Sequence, residues 1–524
     1  MEQLAPRLSA ALSHLPDYLG AHVLLSASAL VLGLSLSLPL SLAALRWRNF
    51  AGVILGGAAV IQTIPSLALL ALFYPLLLLL SSATKSLTGA SFSALGFLPS
   101  LLALSLYSML PILRNAVTGI LGVDPAVKEA ALGAGMTPFQ TLLRIELPLA
   151  LPVIMAGIRT ASVLVIGTAT LSTPVGQTSL GNYIFSGLQT QNWVDVLVGC
   201  VAAALLALVA DRILAALESM ARRRGGRHRL AAAATAVVLI LCAGAVAANF
   251  RPQAGYIIGA KNFPEQYILA ELIDQRLAAA GLHASLRSDL GSAVIFRALT
   301  AGDIDVYVDY TGTIWTNEMH RNDSPARNIV LEGVTGWVRD HYGARVLGPL
   351  GFENAYVLAM RRDKALALGV NSIADLASVS PQMTVGGDYE IFGRPEWQQL
   401  HLAYGLNFHD ERQMQPLFMY KAVADSDVDA ITAFSSDGRI AQYGLVTLAD
   451  PKHVIPPYDA ILLLSPKRSN DRALITALQS LIGKIDVEKM RKANLAVSRE
   501  EQQLSPAGAA RELWKEITGG GSSE

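Results

Sequence analysis

A basic cluster followed by a long uncharged run divides this chain into two unlike halves. The cluster runs from Arg222 to Arg229, and the run that follows it, Leu230–Ala248, contains no charged residue. Its nineteen residues would span roughly 28 Å as a helix, close to the thickness of a bilayer's hydrocarbon core. Arginines that flank a membrane span tend to remain in the cytoplasm. We therefore expect the chain to cross outward here, with everything after Phe250 outside the cytoplasm.

The same stretch also fits a cleavable export signal. A basic run, an apolar core and the small residues Ala245-Val246-Ala247 together describe a signal peptide with its cleavage site. Retention of the stretch as a tether between the two halves is the prediction. Cleavage would instead release a C-terminal fragment of about half the mass.

The two halves also differ in charge. Lys and Arg equal Asp and Glu at 41 each, but residues 1–250 have an excess of basic side chains and residues 251–524 an excess of acidic ones. Apolar residues make up 52% of the chain, which fits a protein that is half membrane domain. No basic stripe of the kind that binds nucleic acid is present, so that class of function is excluded.

Five further apolar runs precede the basic cluster. They are Ala21–Leu45, Ala51–Ser81, Ala94–Leu113, Leu149–Leu171 and Val194–Leu217. The second run contains Pro65 and Pro75, and it is either one kinked span or two short spans. If this run is counted as one span, the chain has six spans together with Leu230–Ala248. Three basic segments then lie on the cytoplasmic side: the arginines after the first run, the loop of residues 114–148 and the basic cluster. One kinked span is therefore the prediction.

The cytoplasmic loop contains the start and stop patterns of two short helices. Asp124-Pro125 is typical of a helix start, and Gly133 and Gly135 are typical of a helix end. Thr137-Pro138-Phe139-Gln140 has the spacing of a capping box, so a second helix should begin there and end at Pro148. The sequence predicts a two-helix elbow on the cytoplasmic face.

The spacing of this loop resembles the signature loop of bacterial ABC importer permeases. The positions that match are Glu129, Ala130, Ala131, Gly135, Ile145, Leu147 and Pro148. The resemblance implies that the loop docks on a separate cytoplasmic ATPase subunit and that two permease chains form a homodimer. Residues 62–69, 110–115 and 181–185 also resemble the osmoprotectant branch of these permeases.

The chain contains no phosphate-binding loop of its own. Such a loop requires Gly, four residues and Gly-Lys-Ser/Thr, whereas Gly483-Lys484 is followed by Ile485 and lacks the upstream glycine. ATP hydrolysis is therefore expected in a partner subunit. No enzyme activity, cofactor or metal is predicted for this chain.

The second half alternates strand and helix patterns. The predicted strands are Tyr256–Gly259, Ile304–Val308, Met383–Gly386, Asp429–Phe434 and Ala460–Leu464, and the first predicted helix is Pro264–Ala280. This alternation predicts parallel sheets with helices on both faces. Its length suits two lobes with a cleft between them.

Several stretches of this half resemble the binding proteins for glycine betaine, choline and carnitine. The resemblance extends from Tyr256 to Trp514 and rests on residues 259–266, 309–313, 354–356, 434–438 and 456–458, with Arg394. It implies a two-lobed periplasmic-binding-protein fold of α/β type joined to an α-helical permease domain of about six spans. The expected domains are residues 1–220 (permease), 221–255 (junction), 256–515 (binding domain) and 516–524 (tail), in the bacterial inner membrane.

A quaternary ammonium group has no N–H to donate, so aromatic ring faces must bind it. The residues at the positions of the family's aromatic cage are Tyr310, Tyr356, Phe434 and Tyr458, and those at the positions that bind a ligand carboxylate are Lys261, Thr313 and Arg394. The resemblance therefore implies a ligand with both charges, such as glycine betaine, carnitine, proline betaine or ergothioneine, in preference to choline. A membrane-tethered ligand sensor and an enzyme in the second half remain as alternatives, without a signalling domain or a nucleophile motif to support them.

Overall fold

The chain forms one helical unit and one α/β unit. The computed structural model describes residues 4–89, 92–190, 192–222, 255–388, 390–499 and 502–519. The predicted sixth span, Leu230–Ala248, lies outside the described residues, as does the basic cluster beyond Arg222.

Nine α-helices are described between Leu4 and Arg222. They are α1 (Leu4–Arg46), α2 (Arg48–Thr63), α3 (Ser66–Thr88), α4 (Phe97–Leu121), α5 (Pro125–Gly133), α6 (Pro138–Thr141), α7 (Leu147–Ala169), α8 (Gly181–Gln189) and α9 (Trp193–Arg222). A π-helical segment, Leu142–Glu146, joins α6 to α7, and a 3-10 segment, Thr170–Val175, follows α7. Within the described residues, five helical stretches are long and apolar enough to cross a bilayer. The predicted helical membrane domain is confirmed.

The run predicted as one kinked span, Ala51–Ser81, is two helices separated at Pro65. Proline has no N–H and keeps the preceding residue out of the helical conformation, and Ile64 is accordingly extended, with φ −69° and ψ 127°. The Tyr107 hydroxyl donates a hydrogen bond to the Ile64 carbonyl at this break. The prediction of one kinked helix was therefore wrong, because the helix ends at Thr63 and a new one begins at Ser66.

Both helices nevertheless continue in one direction along α4. Ala58 of α2 packs with Leu113 in the second half of α4, and Leu70 of α3 packs with Ala103 in its first half. The end of α1, the end of α4 and the start of α7 share one hydrophobic cluster. Arg46 and the loop between α4 and α7 therefore lie at the same end of the helical unit, as the charge pattern predicted.

The α/β unit contains ten described strands, with helices between them. The elements are β1 (Tyr256–Lys261), α10 (Pro264–Ala279), β2 (Ala284–Leu290), α11 (Ser292–Ala301), β3 (Val306–Tyr310), α12 (Thr311–Thr313), α13 (Arg327–Tyr342), β4 (Arg345–Glu353), β5 (Tyr356–Arg361), α14 (Arg362–Leu368), α15 (Ile373–Val379), β6 (Thr384–Gly387), α16 (Pro395–Tyr404), β7 (Asp410–Gln413), α17 (Pro416–Ala424), β8 (Ala430–Phe434), α18 (Arg439–Gln442), β9 (Leu445–Thr447), β10 (Asp459–Leu464), α19 (Arg472–Leu478), α20 (Val487–Ser498) and α21 (Pro506–Ile517).

The strands form two five-stranded sheets, each the centre of one lobe. The first sheet has the order β2-β1-β3-β10-β4 and the second the order β7-β6-β8-β5-β9. All strands are parallel except β10 in the first sheet and β5 in the second, which run antiparallel to both of their neighbours. The two-lobed α/β fold is confirmed, and each of the predicted parallel sheets contains one antiparallel strand that the sequence did not predict.

Each reversed strand is the first one that the chain forms after it crosses from one lobe to the other. Between β4 and β5 it passes from the first lobe to the second through Asn354 and Ala355, and residues 448–458 return it to β10 of the first lobe. A strand that follows such a direct crossing has no crossover helix to return it to the parallel direction. Residues of both lobes, among them Phe263 and Phe434, line a pocket beside the first of these crossings at Asn354.

Candidate functional site

The loop between α4 and α7 forms the predicted elbow. The Asp124 carboxylate accepts a hydrogen bond from the N–H of Ala126 at 2.9 Å and so caps α5, which ends at Gly133. Thr137 and Gln140 form the predicted capping box, with hydrogen bonds of 3.3 and 3.0 Å. Both helix starts were therefore predictable from local sequence chemistry alone.

The second helix does not end at Pro148, and that prediction was wrong. The π-helical segment Leu142–Glu146 continues directly into α7, and Pro148 lies in the first turn of α7. Proline has no N–H to donate to the preceding turn, so one backbone hydrogen bond is missing at this position of the helix. The elbow and the membrane helix α7 therefore share a continuous helical backbone.

The residues of the signature loop differ in exposure. Glu129, Ala130, Gly135 and Pro148 are exposed, Ile145 and Leu147 are half-buried, and Ala131 is buried. Large apolar side chains of the elbow also lie at the surface: Val127, Leu132, Phe139 and Leu143. The Lys128 ammonium lies 3.4 Å from the Glu146 carboxylate and links the two arms of the elbow. Apolar surface of this kind is typical of a protein-binding site.

The four predicted cage residues lie at strand ends beside the two crossings. Tyr310 ends β3, Tyr356 begins β5, Phe434 ends β8, and Tyr458 directly precedes β10. Tyr356 and Phe434 are paired in the antiparallel register of β5 and β8. The strand pairing therefore brings together side chains that are far apart in sequence.

The rings of these residues are close together, and Phe263 joins them. The centroid of the Tyr356 ring is 5.1 Å from that of Phe434 and 6.2 Å from that of Tyr458. Phe263 stacks on Phe434 and on Tyr310, with 6.2 Å between centroids in both pairs. We call these five residues the aromatic cage. The sequence reasoning missed Phe263, although it lies in a stretch that the resemblance identified.

Each tyrosine hydroxyl of the aromatic cage donates a hydrogen bond to a carboxylate that is buried. Tyr310 donates to Glu265 at 2.5 Å and Tyr356 to Asp388 at 2.9 Å, while Tyr458 donates to Glu396. Burial raises the pKa of each of these three tyrosines, so they remain neutral donors. The three carboxyl groups make the surroundings of the cage acidic, which suits a cationic ligand.

Arg394 contributes the positive charge nearest to the rings. It precedes α16 and is 5% exposed, with its guanidinium carbon 5.2 Å from the centroid of the Tyr356 ring. One of its nitrogens lies 3.1 Å from the Tyr458 hydroxyl and 3.2 Å from the Glu396 carboxylate. Burial opposes ionisation of Glu396, but the Arg394 charge and the Tyr458 hydrogen bond outweigh it and lower the pKa of this carboxyl. Arg394 is therefore inside the site but already has an acidic partner.

Lys261 is also buried close to the cage, and it too has a protein partner. Its ammonium lies 2.5 Å from the Asp309 carboxylate and 5.3 Å from the centroid of the Tyr310 ring. Thr313 follows β3 in α12 and is 7% exposed. The predicted roles of Lys261 and Thr313 in binding a ligand carboxylate remain predictions.

Glu265 was not predicted, and it connects several elements of the site. Its carboxylate accepts hydrogen bonds from Tyr310, Ser436, Asn354 and Asn494 at 2.5, 2.5, 3.1 and 3.0 Å. Burial raises the pKa of this carboxyl, although the four hydrogen bonds act in the opposite direction. Its place in the stretch 259–266 was the only sequence feature that pointed to it.

Two family profiles match the two units. Residues 33–223 match the binding-protein-dependent transport system inner membrane component, and residues 255–516 match the substrate binding domain of the ABC-type glycine betaine transport system. The relatives include the ergothioneine transport permease/ergothioneine binding protein EgtU of Helicobacter pylori, 27% identical over 87% of this chain and 82% of the relative. The glycine betaine/carnitine/choline permease OpuCB of Bacillus subtilis is 40% identical over 39% of this chain and 88% of the relative. A solved glycine betaine/carnitine/choline ABC transporter structure covers 50% of this chain and 98% of its own, at 25% identity and a TM-score of 0.45.

Proposed function

Because this chain belongs to the family of binding-protein-dependent ABC importers, with an inner-membrane permease and a substrate-binding domain in one polypeptide, we propose that it imports a small quaternary ammonium compound. The α/β unit lies outside the cytoplasm and binds the solute between its lobes. The helical unit provides the path across the membrane, and a separate ATPase subunit supplies the energy.

The aromatic cage is the observation that supports this ligand class. Each ring face contributes roughly 0.5–2 kcal/mol to binding of a quaternary ammonium, and the cage has five rings. Donation of a tyrosine hydroxyl to a carboxylate adds negative potential at the ring, which strengthens the attraction for a cation. Ordinary core packing requires neither the three carboxylates nor the cations Lys261 and Arg394 beside the rings.

The acidic partner of Arg394 affects which ligands suit the site. A ligand carboxylate that binds Arg394 must share this guanidinium with Glu396, so the gain for a betaine over choline is smaller than the sequence predicted. Glycine betaine-type compounds are the first candidate. Ergothioneine is the second, because the Helicobacter relative that matches both units is named for it.

The elbow is the proposed docking site for the ATPase subunit. Its exposed apolar side chains lie beside the exposed signature residues Glu129 and Gly135. A socket on a cytoplasmic partner would cover this surface. Two copies of this chain are proposed to form the permease, as a homodimer.

Uptake into proteoliposomes tests the function. The full chain is reconstituted with its candidate ATPase, and radiolabelled glycine betaine, choline and ergothioneine are compared with and without ATP. We expect ATP-dependent uptake of at least one of the three. Ligand binding without uptake at any ATPase level would favour the membrane-tethered sensor, and absence of both would contradict the proposal.

A further inference from the structure

Two buried carboxylates, one from each lobe, form hydrogen bonds across the cleft. Glu265 belongs to the first lobe, in the first turn of α10, and Glu396 belongs to the second lobe, in the first turn of α16. Both side chains are 2% exposed. Each accepts a hydrogen bond from a tyrosine of the aromatic cage and a second one from a hydroxyl group of the opposite lobe.

Ser436 forms the first of these contacts. It follows β8 in the second lobe, and its hydroxyl donates to the Glu265 carboxylate at 2.5 Å. The other oxygen of Glu265 accepts from Tyr310. The amide group of Asn494, from α20 of the first lobe, bridges the same contact, since it donates to Glu265 at 3.0 Å and to the Ser436 carbonyl at 2.9 Å.

Thr316 forms the second contact, in which the hydroxyl belongs to the first lobe and the carboxylate to the second. It follows β3 in the first lobe, and its hydroxyl lies 3.1 Å from the Glu396 carboxylate, the same oxygen to which Tyr458 donates. The hydroxyl also lies 2.9 Å from the Gly312 carbonyl and 3.3 Å from the Asn317 amide oxygen of its own lobe. A charged carboxylate is the strongest acceptor of the three, so the single proton favours Glu396.

We propose that Glu265 and Glu396 are positioning residues that hold the two lobes closed and at the same time fix Tyr310 and Tyr458 in the aromatic cage. We call Glu265–Ser436 and Glu396–Thr316 the cross-lobe contacts. Separation of the lobes breaks both contacts and leaves two carboxylates without one of their donors. The cost of opening therefore sets how long a bound solute remains in the cleft. The inference rests on the proposed function for the solute, but the contacts themselves do not depend on which solute binds.

Distances between spin labels on the two lobes test the contacts directly. The labels are placed at Ile329→Cys on α13 and Leu402→Cys on α16, both exposed, in the full chain with Cys200→Ala and Cys242→Ala. The variants Ser436→Ala and Thr316→Val remove one cross-lobe hydroxyl each. Thr335→Val is the matched control, because the Thr335 hydroxyl donates to Leu331 of its own helix. Ser436→Thr restores a hydroxyl.

We expect both hydroxyl deletions, and more strongly their combination, to shift the label distances towards longer values without ligand. The control and Ser436→Thr should keep the distances of the parent chain. With glycine betaine and ergothioneine as probes, each deletion should accelerate dissociation by at least about fivefold, because a lost hydrogen bond to a charged group has at least that effect.

Unchanged distances in the double variant would overturn the inference. It would also fail if Thr335→Val opened the lobes as much as the deletions do, because the effect would then be a general loss of stability. If the deletions shift the distances but neither probe binds to the parent chain, the cross-lobe contacts are supported and the proposed ligand class fails.

Discussion

The ring of Tyr458 packs directly on the α-carbon of Gly312. A Cβ at position 312 would lie 2.4 Å from Cε2 and 2.5 Å from Cδ2 of this ring, well inside the contact distance of two carbon atoms. Gly312 lies in α12, the short helix that follows β3. A residue without a side chain is therefore required for Tyr458 to keep its place in the aromatic cage.

Gly312→Ala should weaken ligand binding at least about tenfold, because the added methyl group displaces the Tyr458 ring and with it the contacts to Arg394 and Glu396. Calorimetry with the full chain measures the affinity. Gly336→Ala in α13 is the control, since no atom lies within 4 Å of a Cβ there. Equal affinities in the two folded variants would contradict the role of Gly312.

Tyr458→Ala should weaken binding by at least about 1 kcal/mol, because one ring face is lost from the cage. Tyr458→Phe keeps the face and loses only the hydrogen bonds to Arg394 and Glu396, so its loss should be smaller. Calorimetry of both variants separates the contribution of the ring to the binding free energy from that of the hydroxyl group. An unchanged affinity in Tyr458→Ala would remove this residue from the cage.

Glu129→Arg should impair binding of the ATPase subunit and leave solute binding intact, because Glu129 is exposed on the elbow, far in sequence from the α/β unit. A pull-down of the ATPase with the full chain measures the first effect, and calorimetry the second. Glu332→Arg, a charge reversal on α13 of the α/β unit, should leave the pull-down unchanged. Normal pull-down with Glu129→Arg would count against the docking role of the elbow.

Asp211→Asn should weaken the ion pair that connects α9 to α7. The Asp211 carboxylate binds the Arg159 guanidinium in a bidentate manner, at 2.8 and 3.0 Å, and Glu218 lies 3.4 Å from the same group. Asparagine keeps one acceptor oxygen but has no charge, so the membrane-embedded arginine loses its bidentate carboxylate partner. We expect a lower melting temperature in detergent. Thr160→Val on α7, whose hydroxyl bonds within its own helix, should have little effect.

The stability of the α/β unit should fall as the pH rises from about 5 to 8. Burial, aided by nearby Asp274, raises the pKa of Glu271 to about 7 from an ordinary value of 4.5. The folded state therefore binds more protons than the unfolded state in this window, and the stabilisation, on the order of 2 kcal/mol, is lost as Glu271 ionises. Urea unfolding at pH 5 and pH 8 measures the change.

Glu271→Gln is the comparison for this prediction. Glutamine does not titrate, so the difference in unfolding free energy between pH 5 and pH 8 should shrink relative to the parent chain. Acids that do not interact with Glu271 contribute equally to both proteins and cancel. An identical pH dependence in the two would show that Glu271 does not titrate in this range.

Local chemistry made part of this molecule predictable from sequence. The Asp124 cap, the Thr137–Gln140 capping box and the apolar spans depend on residues a few positions apart. Whether Pro65 kinks the helix or interrupts it could not be predicted locally, because the break is stabilised by a hydrogen bond from Tyr107 of a different helix. The role of Pro148 was predicted wrongly because a proline can follow the end of one helix or lie in the first turn of the next. The sequence does not show that the π-helical segment Leu142–Glu146 continues into α7.

The candidate site was less predictable, because its geometry depends on contacts between distant residues. Four of the five cage residues were found through the resemblance, and Phe263 was missed because a lone phenylalanine beside a helix start has no local pattern. The partners of Lys261 and Arg394 could not be foreseen either. Asp309 and Glu396 neutralise these cations only because the fold brings them within 2.5 and 3.2 Å.

The path of the chain through the α/β unit has a consequence for how this unit is attached. The polypeptide enters it at β1 and leaves it after α21, which packs on α10 through Trp514 and Arg276, so both ends belong to the first lobe. The second lobe is an insertion into the first, and its covalent connections to the first lobe are the two crossings. If residues 221–255 form the predicted membrane tether, it would be attached to the first lobe alone, so that the second lobe could move on breaking the cross-lobe contacts without displacing the tether.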